Sequence, residues 1–441
     1  MTEIIFSFDT EDFTQNHSAD AIFAEAEILR EAGIKGGFCL VGLLAKQLEA
    51  WGRDDVIVAL SHHEFGCHSY GHSLHPVFSE YTDIEDFEAA YKEVWRQETE
   101  ALRLIERISD QAPIYYACPP GNQKNYVAMY AYADMGIPLY ADTCCDTLDG
   151  RGMFYCNIYQ TRYTSSLENL IEMSTDEEIL AYIDEIAKNR RAILYTHPNM
   201  AVYAYFWDLV NYYKENKYEF GKWEEPERRA PEVTERFYQN IKKLIRFIQN
   251  DSRFKITTYS ELAEIVKAEP VRRITKDDIP YIKKHIDNDF SPISGKVSYS
   301  ISDMFLACRD LLLGKEEHIC GKVYGFLTRP VGILAPVTLR AKELKRSAEV
   351  INADKFLPHT ISVGGKEIGP ADWLRAALEV LMGKDEVTVL PAPQLPSISD
   401  LPELENAKGI GWVQSDDFKN KYITERLKLQ CWTMRYLSEY Q

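Results

Sequence analysis

The segment "EIIFSFDTED", residues 3–12, is a short apolar run that ends in three acidic residues. A continuous apolar run of this length, bounded by polar residues, predicts a strand that is buried on both faces. Asp9, Glu11 and Asp12 close the run, and Asp9 and Glu11 point to the same side if the strand continues through them. The segment therefore predicts an interior strand with carboxylates at its carboxyl end.

Strand-like runs and helical patterns alternate over residues 1–268. The long amphipathic pattern at 83–108 predicts a helix with Thr82 or Asp83 as its N-cap. Further strands are predicted at "GGFCLVG" (36–42), "HEFGCHS" (63–69), "IYYAC" (114–118), "PLYADT" (138–143) and "AILYTH" (192–197). This alternation predicts an α/β fold, a parallel sheet or barrel whose functional residues lie beyond the carboxyl ends of the strands.

Length and composition restrict the classes of protein to consider. The chain has 441 residues, which predicts at least two domains, and a formal net charge of −18, which argues against a nucleic-acid partner. Its nine cysteines show no disulfide framework and predict free thiols in a reducing compartment. We find no run long enough to span a bilayer and no signal-peptide pattern. We therefore expect a cytoplasmic protein, or a cell-surface protein if an export signal was removed from the sequence.

Histidines cluster in one segment, because five of the ten fall within "HHEFGCHSYGHSLH", residues 62–75. His68 and His72 are four positions apart, so both rings face one point on a helical turn or on a tight loop. Imidazole is the commonest ligand for zinc, and a hydrolytic site uses three protein ligands and leaves one position to water. The spacing fits a metal site that a carboxylate completes, and taken alone it fits a pair of loop histidines equally well.

Four motifs resemble those of the NodB-homology polysaccharide deacetylases, carbohydrate esterase family four. "SFDTED" resembles a first motif in which a strand ends in paired acids, and "GCHSYGH" fits the second motif, H-[ST]-x-x-H after a glycine. "YACPPGN" keeps Pro119 and Gly121 of the third motif, and "ILYTHP" matches the fifth, a strand followed by a histidine. Their order and spacing agree with the family over residues 3–265.

The resemblance implies a distorted (β/α) barrel of the polysaccharide deacetylase type with a metal ion at its mouth. It implies a hydrolase that removes N-acetyl or O-acetyl groups from a polysaccharide with metal-activated water, and one divalent ion, zinc by preference. The residue roles carried over are metal ligation by Glu11, His68 and His72, with Asp12 as the alternative carboxylate, general base for Asp9 and general acid for His197.

Two departures from the family pattern leave alternative functions open. The arginine of the third motif, which orients the base in the family, falls on Ala117, and the first motif has an extra residue between its acids. The same metal site would then hydrolyse a non-sugar amide C–N bond, or the chain would be an inactive glycan-binding protein.

Substrate contacts are expected around the same motifs. We assign Tyr70, Pro119 and Gly121 to substrate binding, the last two because the amides of a rigid turn can face an acyl oxygen. Asp142, at the end of a predicted strand, is expected to contact substrate or His197. The aromatic stretch at 203–207 fits either sugar-stacking platforms or core.

The remainder of the chain predicts a smaller, mainly α-helical (α+β) domain built from repeats. Residues 269–278 have the composition of a linker, and 279–441 contain two similar segments, about 279–314 and 344–383, followed by an extension. "SAEVINADKFLPHTISVGGKEIGPADWLRAALEVL" resembles a pseudomurein-binding repeat, which implies a cell-wall polymer as a partner of this domain.

Overall fold

The computed structural model describes residues 1–123, 125–141, 152–352, 354–397 and 411–438. Its strands are β1 (Thr2–Thr10), β2 (Gly37–Leu40), β3 (Glu64–Cys67), β4 (Ile114–Ala117), β5 (Leu139–Tyr140), β6 (Met153–Tyr155), β7 (Ile158–Gln160), β8 (Tyr163–Ser166), β9 (Arg191–Thr196), β10 (Phe254–Ile256), β11 (Arg273–Thr275), β12 (Glu317–Ile319), β13 (Val337–Arg340), β14 (Ile361–Val363), β15 (Lys366–Ile368), β16 (Glu386–Val389) and β17 (Arg435–Tyr436).

The helices connect these strands along the chain. They are α1 (Asn16–Glu31), α2 (Gly42–Ala50), α3 (Asp54–Leu60), α4 (Phe78–Thr82), α5 (Phe87–Ile108), α6 (Tyr126–Asp134), α7 (Asp176–Ile186), α8 (Asn199–Val202), α9 (Trp207–Asn211), α10 (Pro231–Gln249), α11 (Tyr259–Lys267), α12 (Ile279–Asn288), α13 (Ile301–Leu312), α14 (Ala341–Ala348), α15 (Pro370–Leu381) and α16 (Lys421–Leu429).

Two compact units divide the chain, and neither is continuous in sequence. The first unit comprises Met1–Arg151, Gln160–Lys267 and Ala407–Ile423. The second unit comprises Gly152–Tyr159, Ala268–Asn406 and Thr424–Gln441. No helix in the described ranges is both long enough and apolar enough to cross a membrane.

A parallel sheet forms the centre of the first unit, in the order β5-β4-β3-β2-β1-β9-β8. Strand β1 lies in its interior: it pairs with β9 along Glu3–Phe8, with β10 along Thr2–Ile4 and with β2 along Ser7–Thr10. Neighbours on both edges agree with the burial of every residue of β1 except Glu3, which is half-buried. The buried strand predicted for the apolar run at 3–8 is therefore confirmed.

The sheet curls into a half-barrel. Strands β4 and β8 are five steps apart in the sheet order, which would separate them by roughly 24 Å in a flat sheet. Instead, the Tyr163 hydroxyl at the start of β8 lies 3.4 Å from the Cys118 sulfur just after β4. The curl brings the carboxyl ends of distant strands to one place, and the prediction of an α/β barrel is confirmed.

The second unit contains two halves with similar orders of elements. The first half runs β11, α12, α13 and β12, and the second runs β13, α14, the hairpin β14–β15, α15 and β16. The first and last strands of each half pair antiparallel, β11 with β12 and β13 with β16. The second helix of each half is capped in the same way: Asp303 accepts from Ser300 N–H at 2.9 Å, and Asp372 accepts from Gly369 N–H at 3.0 Å. The likeness of either half to a pseudomurein-binding repeat stays a prediction.

Residues 269–278, whose composition predicts a linker, contain β11 and belong to the second unit. The Arg272 guanidinium is buried there and donates to the Asp303 carboxylate at 2.7 Å. Charged residues suggested an exposed connection, but burial of this ion pair ties the segment to the second unit.

Candidate metal centre and active site

The residues predicted to carry chemistry lie at the carboxyl ends of the curled sheet of the first unit. Asp9, Glu11 and Asp12, at the end of β1, are all buried, with 4% or less of each residue exposed. The histidine loop follows β3, and His197 follows β9, the strand paired with β1. The carboxyl ends of parallel strands lie on one edge of the sheet, so residues that follow different strands meet at one site.

The loop after β3 holds its two histidines in an unusual backbone conformation. The His68 N–H donates to the Leu40 carbonyl at 2.8 Å and so extends the pairing of β3 with β2. Ser69 and His72 then adopt positive φ angles of 66° and 48°, and the Ser69 hydroxyl accepts from the His72 N–H at 3.1 Å. Positive φ at non-glycine residues is strained and concentrates at functional sites. This tight turn aims both rings at the end of β1.

Glu11, His68 and His72 form a compact group of metal-ligand donors. One donor atom from each residue lies within 4.8 Å of the others, and all three side chains are buried. Glu11 Oε2 is 2.9 Å from His72 Nε2 and 3.5 Å from His68 Nε2. The sequence prediction named these three residues as ligands, and the fold brings them together.

Hydrogen bonds on the far side of each ring fix which nitrogen faces Glu11. The His68 Nδ1–H donates to the Cys118 carbonyl at 3.0 Å, and the His72 Nδ1–H donates to the Ser73 hydroxyl at 2.7 Å. The Ser73 hydroxyl in turn donates to Asp208 at 2.7 Å. In the neutral rings, each Nε2 therefore carries a lone pair, which is how metal-binding histidines are held.

These lone pairs face a carboxylate, so a proton or a cation must lie between them. The His72 Nε2 is buried and makes no hydrogen bond of good geometry to any described residue. Burial alone raises the pKa of Glu11, but the surrounding imidazoles, led by that of His72, hold it well below its usual range. Burial likewise lowers the pKa of His68, but the Asp9 charge and other neighbours raise it well above its usual range. Two imidazoles and one carboxylate are a donor set suited to a divalent transition-metal ion.

Trp207 holds the second oxygen of Glu11. Its indole Nε1–H donates to Glu11 Oε1 at 3.0 Å, and the side chain is fully buried. Of the two expectations for this residue, a sugar-stacking platform and a core residue, burial agrees with the second. Its polar group also orients the proposed carboxylate ligand, which leaves Oε2 facing the histidines.

We expect Trp207→Phe to weaken zinc binding by about 10- to 100-fold, because residues that orient metal ligands have effects of this size. Calorimetric titration of the metal-free chain with zinc measures the change. The matched control is Trp223→Phe, which loses an indole hydrogen bond of 2.9 Å to the Tyr212 hydroxyl in the same aromatic cluster. Equal zinc affinity in both variants would contradict the orienting role of Trp207.

Asp12, the alternative carboxylate ligand, accepts hydrogen bonds from Thr14 and Ser18 through both of its oxygens. Its Oδ1 accepts from the Thr14 N–H at 2.8 Å and the Thr14 hydroxyl at 2.6 Å, and its Oδ2 accepts from the Ser18 hydroxyl at 2.5 Å. Burial raises the pKa of Asp12 to about 6 against the effect of these hydrogen bonds. Asp12 is absent from the donor group and stabilises the entry into α1.

Asp9 has one oxygen anchored and one oxygen available. Its Oδ1 accepts from the Tyr163 hydroxyl at 2.6 Å. Its Oδ2 lies 3.8 Å from His197 Nε2 and 4.0 Å from the Cys118 sulfur. A carboxylate whose second oxygen accepts only a long hydrogen bond from a thiol, beside a group of metal ligands, has the placement expected of a general base.

His197 stands opposite Asp9 and is supported by Glu168. The ring Nδ1 and the backbone N–H of His197 both donate to Glu168 Oε1, at 2.7 and 3.2 Å. Burial lowers the pKa of His197, but the charges of Glu11, Glu168 and Asp9 raise it to about 10. The ring therefore keeps a proton on Nε2 near neutral pH, as a general acid requires.

A second group of possible ligands adjoins the first and shares His68. It consists of Asp9, Cys39, His68 and Cys118, all buried, with donor atoms within 4.8 Å of one another. Burial raises the pKa of Cys39 to about 12 and that of Cys118 well above its usual range, so both stay as thiols at neutral pH. Each thiol would have to release its proton to a cation, whereas the Glu11 group offers an ionised carboxylate, so we take the Glu11 group as the candidate cation site.

Glu98, on α5, accepts a hydrogen bond from the backbone of the histidine loop. It is fully buried, its Oε1 accepts from the Tyr70 N–H at 3.3 Å, and its Oε2 accepts from the Tyr132 hydroxyl at 2.5 Å. Burial raises the pKa of Glu98 from 4.5 to about 7, against the effect of these hydrogen bonds. The folded chain therefore binds this proton more tightly than the unfolded chain.

Stability associated with the Glu98 proton is fully present below about pH 4.5 and is lost as the pH rises through about 7. Between pH 4.5 and 8 we expect the free energy of unfolding of the wild type to fall by about 3 kcal/mol relative to Glu98→Gln. Denaturant unfolding at both pH values measures this difference. Glu88→Gln, at an exposed position of the same helix, is the control, and an equal difference for both variants would contradict the prediction.

The predicted substrate residues lie around this centre to different degrees. Tyr70 is half-buried and lines a cavity of about 210 Å³ beside the histidine loop. Pro119 precedes a 3₁₀ turn after β4, where Gly121 adopts a positive φ of 52°. Asp142 lies outside the described residues. Phe206 packs on His197, with ring centroids 4.9 Å apart.

Several residues of this centre were not found by sequence reasoning. Tyr163, Glu168 and Asp208 each contact a predicted site residue, yet none stands in a motif. Cys118, one position after Ala117, is the side chain of the third motif that reaches Asp9. The segments around these residues carry no recognisable pattern, and only the fold brings them to the site.

No protein-family model and no curated protein matches the chain. Among solved structures, it is similar to a CE4 family pseudoenzyme from Bacillus anthracis, with 16% identity over 59% of this chain and 65% of that one, at a TM-score of 0.35. It is also similar to the peptidoglycan deacetylase PdaC from Bacillus subtilis, with 13% identity over 64% and 96% of the two chains, at a TM-score of 0.32. A 4-alpha-glucanotransferase from Thermococcus litoralis gives 13% identity, 60% and 40% coverage and a TM-score of 0.40. At these identities and TM-scores, the likenesses assign no role to any residue of this chain.

Proposed function

We propose that the chain is a metal-dependent hydrolase that removes N-acetyl groups from a polysaccharide. One observation carries the proposal: the donor group of Glu11, His68 and His72 lies beside a carboxylate and an imidazole that face each other, Asp9 Oδ2 and His197 Nε2, 3.8 Å apart. Hydrolysis of an acyl C–N bond by this route requires ligands for a cation, a general base and a general acid close together. The ordered motifs that resemble the polysaccharide deacetylases support the choice of a glycan.

The residues divide the chemistry between them. A divalent cation at the donor group, with zinc the best match to its ligands, would lower the pKa of water toward about 7 and polarise an acyl oxygen. Asp9, through Oδ2, takes the proton of the attacking water, and His197, through Nε2–H, gives a proton to the leaving nitrogen. The acyl C–N bond breaks, and a free amine and a carboxylate leave.

Acetate release tests the proposal most simply. The purified chain is freed of metal, reloaded with zinc and incubated with acetylated chitooligosaccharides and with peptidoglycan fragments. We expect acetate release that stops on chelation and returns with zinc. A zinc-loaded chain that releases no acetate from any acetylated glycan would contradict the proposal.

A second candidate is hydrolysis of a non-sugar amide by the same centre. The observation that favours it is the partner of Asp9, which is the neutral Tyr163 hydroxyl, whereas the resemblance predicts an arginine. Amine release from small N-acetylated compounds that contain no sugar, without acetate release from glycans, would favour this candidate. Glycan binding without release of either product would indicate an inactive binding protein.

The second unit is proposed to bind a cell-wall polymer, on the strength of its resemblance to the pseudomurein-binding repeat. Co-sedimentation of the full chain with insoluble wall preparations tests this. We expect binding that survives chelation of the metal, because Glu11, His68 and His72 all belong to the first unit. Binding that disappears with the metal would instead assign wall recognition to the first unit.

A further inference from the structure

We propose that Tyr163 is a positioning residue that fixes which oxygen of Asp9 acts as the base. This inference rests on the proposed function, since it concerns the base of that reaction. The Tyr163 hydroxyl donates to Asp9 Oδ1 at 2.6 Å, a short hydrogen bond to a buried carboxylate. Among the described residues, no lysine or arginine side chain is paired with Asp9, so the phenol takes the place of a cationic partner.

An irregularity in the sheet aims the Tyr163 side chain at Asp9. The pairing of β8 with β9 shifts register between Tyr163 and Ser165, so Thr164 is an extra residue in β8. The Thr164 hydroxyl compensates by accepting from the Ile193 N–H at 3.1 Å. Such bulges re-aim side chains next to active sites. The Tyr163 ring is then fixed by stacking on Tyr195, with centroids 4.6 Å apart and planes inclined by 14°.

A chain of hydroxyl groups runs in one direction toward Asp9. The Tyr259 hydroxyl donates to the Ser7 hydroxyl at 3.0 Å. The Ser7 hydroxyl lies 3.2 Å from that of Tyr163, and since the Tyr163 proton is used for Asp9, Ser7 donates here. All four groups are buried, and hydrogen bonds in such a chain polarise and strengthen one another. The chain therefore strengthens Tyr163 as a donor to Asp9.

Anchoring of Oδ1 leaves Oδ2 as the only oxygen of Asp9 that faces His197. Without the phenol, the carboxylate can rotate about its Cβ–Cγ bond, and neither oxygen is held for proton transfer. The loss affects the chemical step and leaves substrate contacts unchanged. Removal of the Tyr163 hydroxyl should consequently lower kcat and leave KM in place.

Tyr163→Phe tests the inference in zinc-loaded enzyme on an acetylated chitooligosaccharide. We expect kcat to fall about 10- to 100-fold with KM unchanged, by analogy with the loss of groups that orient metal ligands. The matched control is Tyr182→Phe, because Tyr182 is a largely buried tyrosine that donates to the Ser166 carbonyl of the same strand at 2.9 Å. We expect its kcat to equal that of the wild type. A fall in kcat common to both variants, or a rise in KM for Tyr163→Phe alone, would overturn the inference.

A double-mutant cycle shows whether Tyr163 acts through Asp9. In an Asp9→Asn background, Tyr163→Phe should cause no further loss of the residual rate. An equal fold-loss in both backgrounds would show that the phenol acts independently of Asp9 and would refute the inference.

A structural comparison separates this inference from the proposed function. Crystal structures of the wild type and Tyr163→Phe should show Asp9 in one position in the wild type and in rotated or multiple positions in the variant. If the wild type releases no acetate, the proposed function fails, and this comparison alone decides the role of Tyr163. An unchanged, single Asp9 position in Tyr163→Phe would then refute positioning.

Discussion

Asp9→Asn is expected to lower kcat for acetate release by about 10²- to 10⁴-fold, the range contributed by a positioned general base. The amide keeps the size of the side chain and leaves an oxygen that can accept from Tyr163, but it cannot take a proton from water. Zinc content should stay at one ion per chain, because Asp9 is not part of the Glu11, His68 and His72 donor group. Steady-state kinetics together with metal analysis of the same preparation measure both quantities.

Asp12→Asn is the matched control, since it changes a neighbouring buried acid whose oxygens are taken by Thr14 and Ser18. We expect a lower Tm for this variant with unchanged kcat and zinc content. Loss of zinc from Asp9→Asn would place the metal in the group that includes Cys39 and Cys118, against the ligand assignment made here.

His72→Gln is expected to weaken zinc binding by more than about 100-fold, because it removes a ligand outright, whereas loss of an orienting group costs about 10- to 100-fold. Its Nε2 faces Glu11 Oε2 at 2.9 Å, while its Nδ1 is held by the Ser73–Asp208 pair. Glutamine preserves much of the volume but presents no imidazole lone pair. Dialysis against a graded zinc buffer, followed by metal analysis, measures the affinity.

His75→Gln controls for damage to the same loop. The His75 Nδ1 pairs with Glu80 at 2.9 Å, and the residue lies outside the donor group. This variant should keep zinc at the wild-type affinity. If His75→Gln lost zinc to the same extent, the effect of His72→Gln would reflect loop stability and not ligation.

Sequence reasoning found the site residues that lie in short, local motifs of the chain. His68 and His72 lie on one short loop, and Glu11 is one of three acids at the end of a buried strand, so spacing suggested a metal site, and the resemblance to the polysaccharide deacetylases selected Glu11 among the acids. Alternating strand and helix patterns predicted an α/β fold with a parallel sheet or barrel, and the family resemblance selected the barrel. The structure adds that one donor atom from each of Glu11, His68 and His72 lies within 4.8 Å of the others.

Support for the site depends on contacts between segments far apart in the chain. Trp207 reaches Glu11 across 196 positions, and Tyr163 reaches Asp9 across 154. Such contacts follow from the curl of the sheet and the bulge in β8, and neither has a signature in local composition. Trp207 looked like a core or stacking residue because its indole ring is apolar, and nothing nearby in sequence indicated an acceptor for its N–H.

The N-cap of α5 shows how tertiary contacts override a local signal. Thr82 and Asp83 stand at the start of the helical pattern, but Asp86 caps the helix by accepting from the Glu88 and Ala89 N–H groups. The Asp83 carboxylate instead accepts from backbone N–H groups of Lys421 and its two successors, at 2.6 to 2.9 Å. A partner more than 300 positions away cannot be inferred from capping preference.

An anomalous difference map at the zinc absorption edge, from crystals of the zinc-loaded chain, tests the central claim most directly. The account predicts one strong peak within bonding distance of Glu11 Oε2 and the Nε2 atoms of His68 and His72, with Asp9 Oδ2 close by and outside the ligand set. A map with no peak at this corner, or with its peak between Cys39 and Cys118, would contradict it.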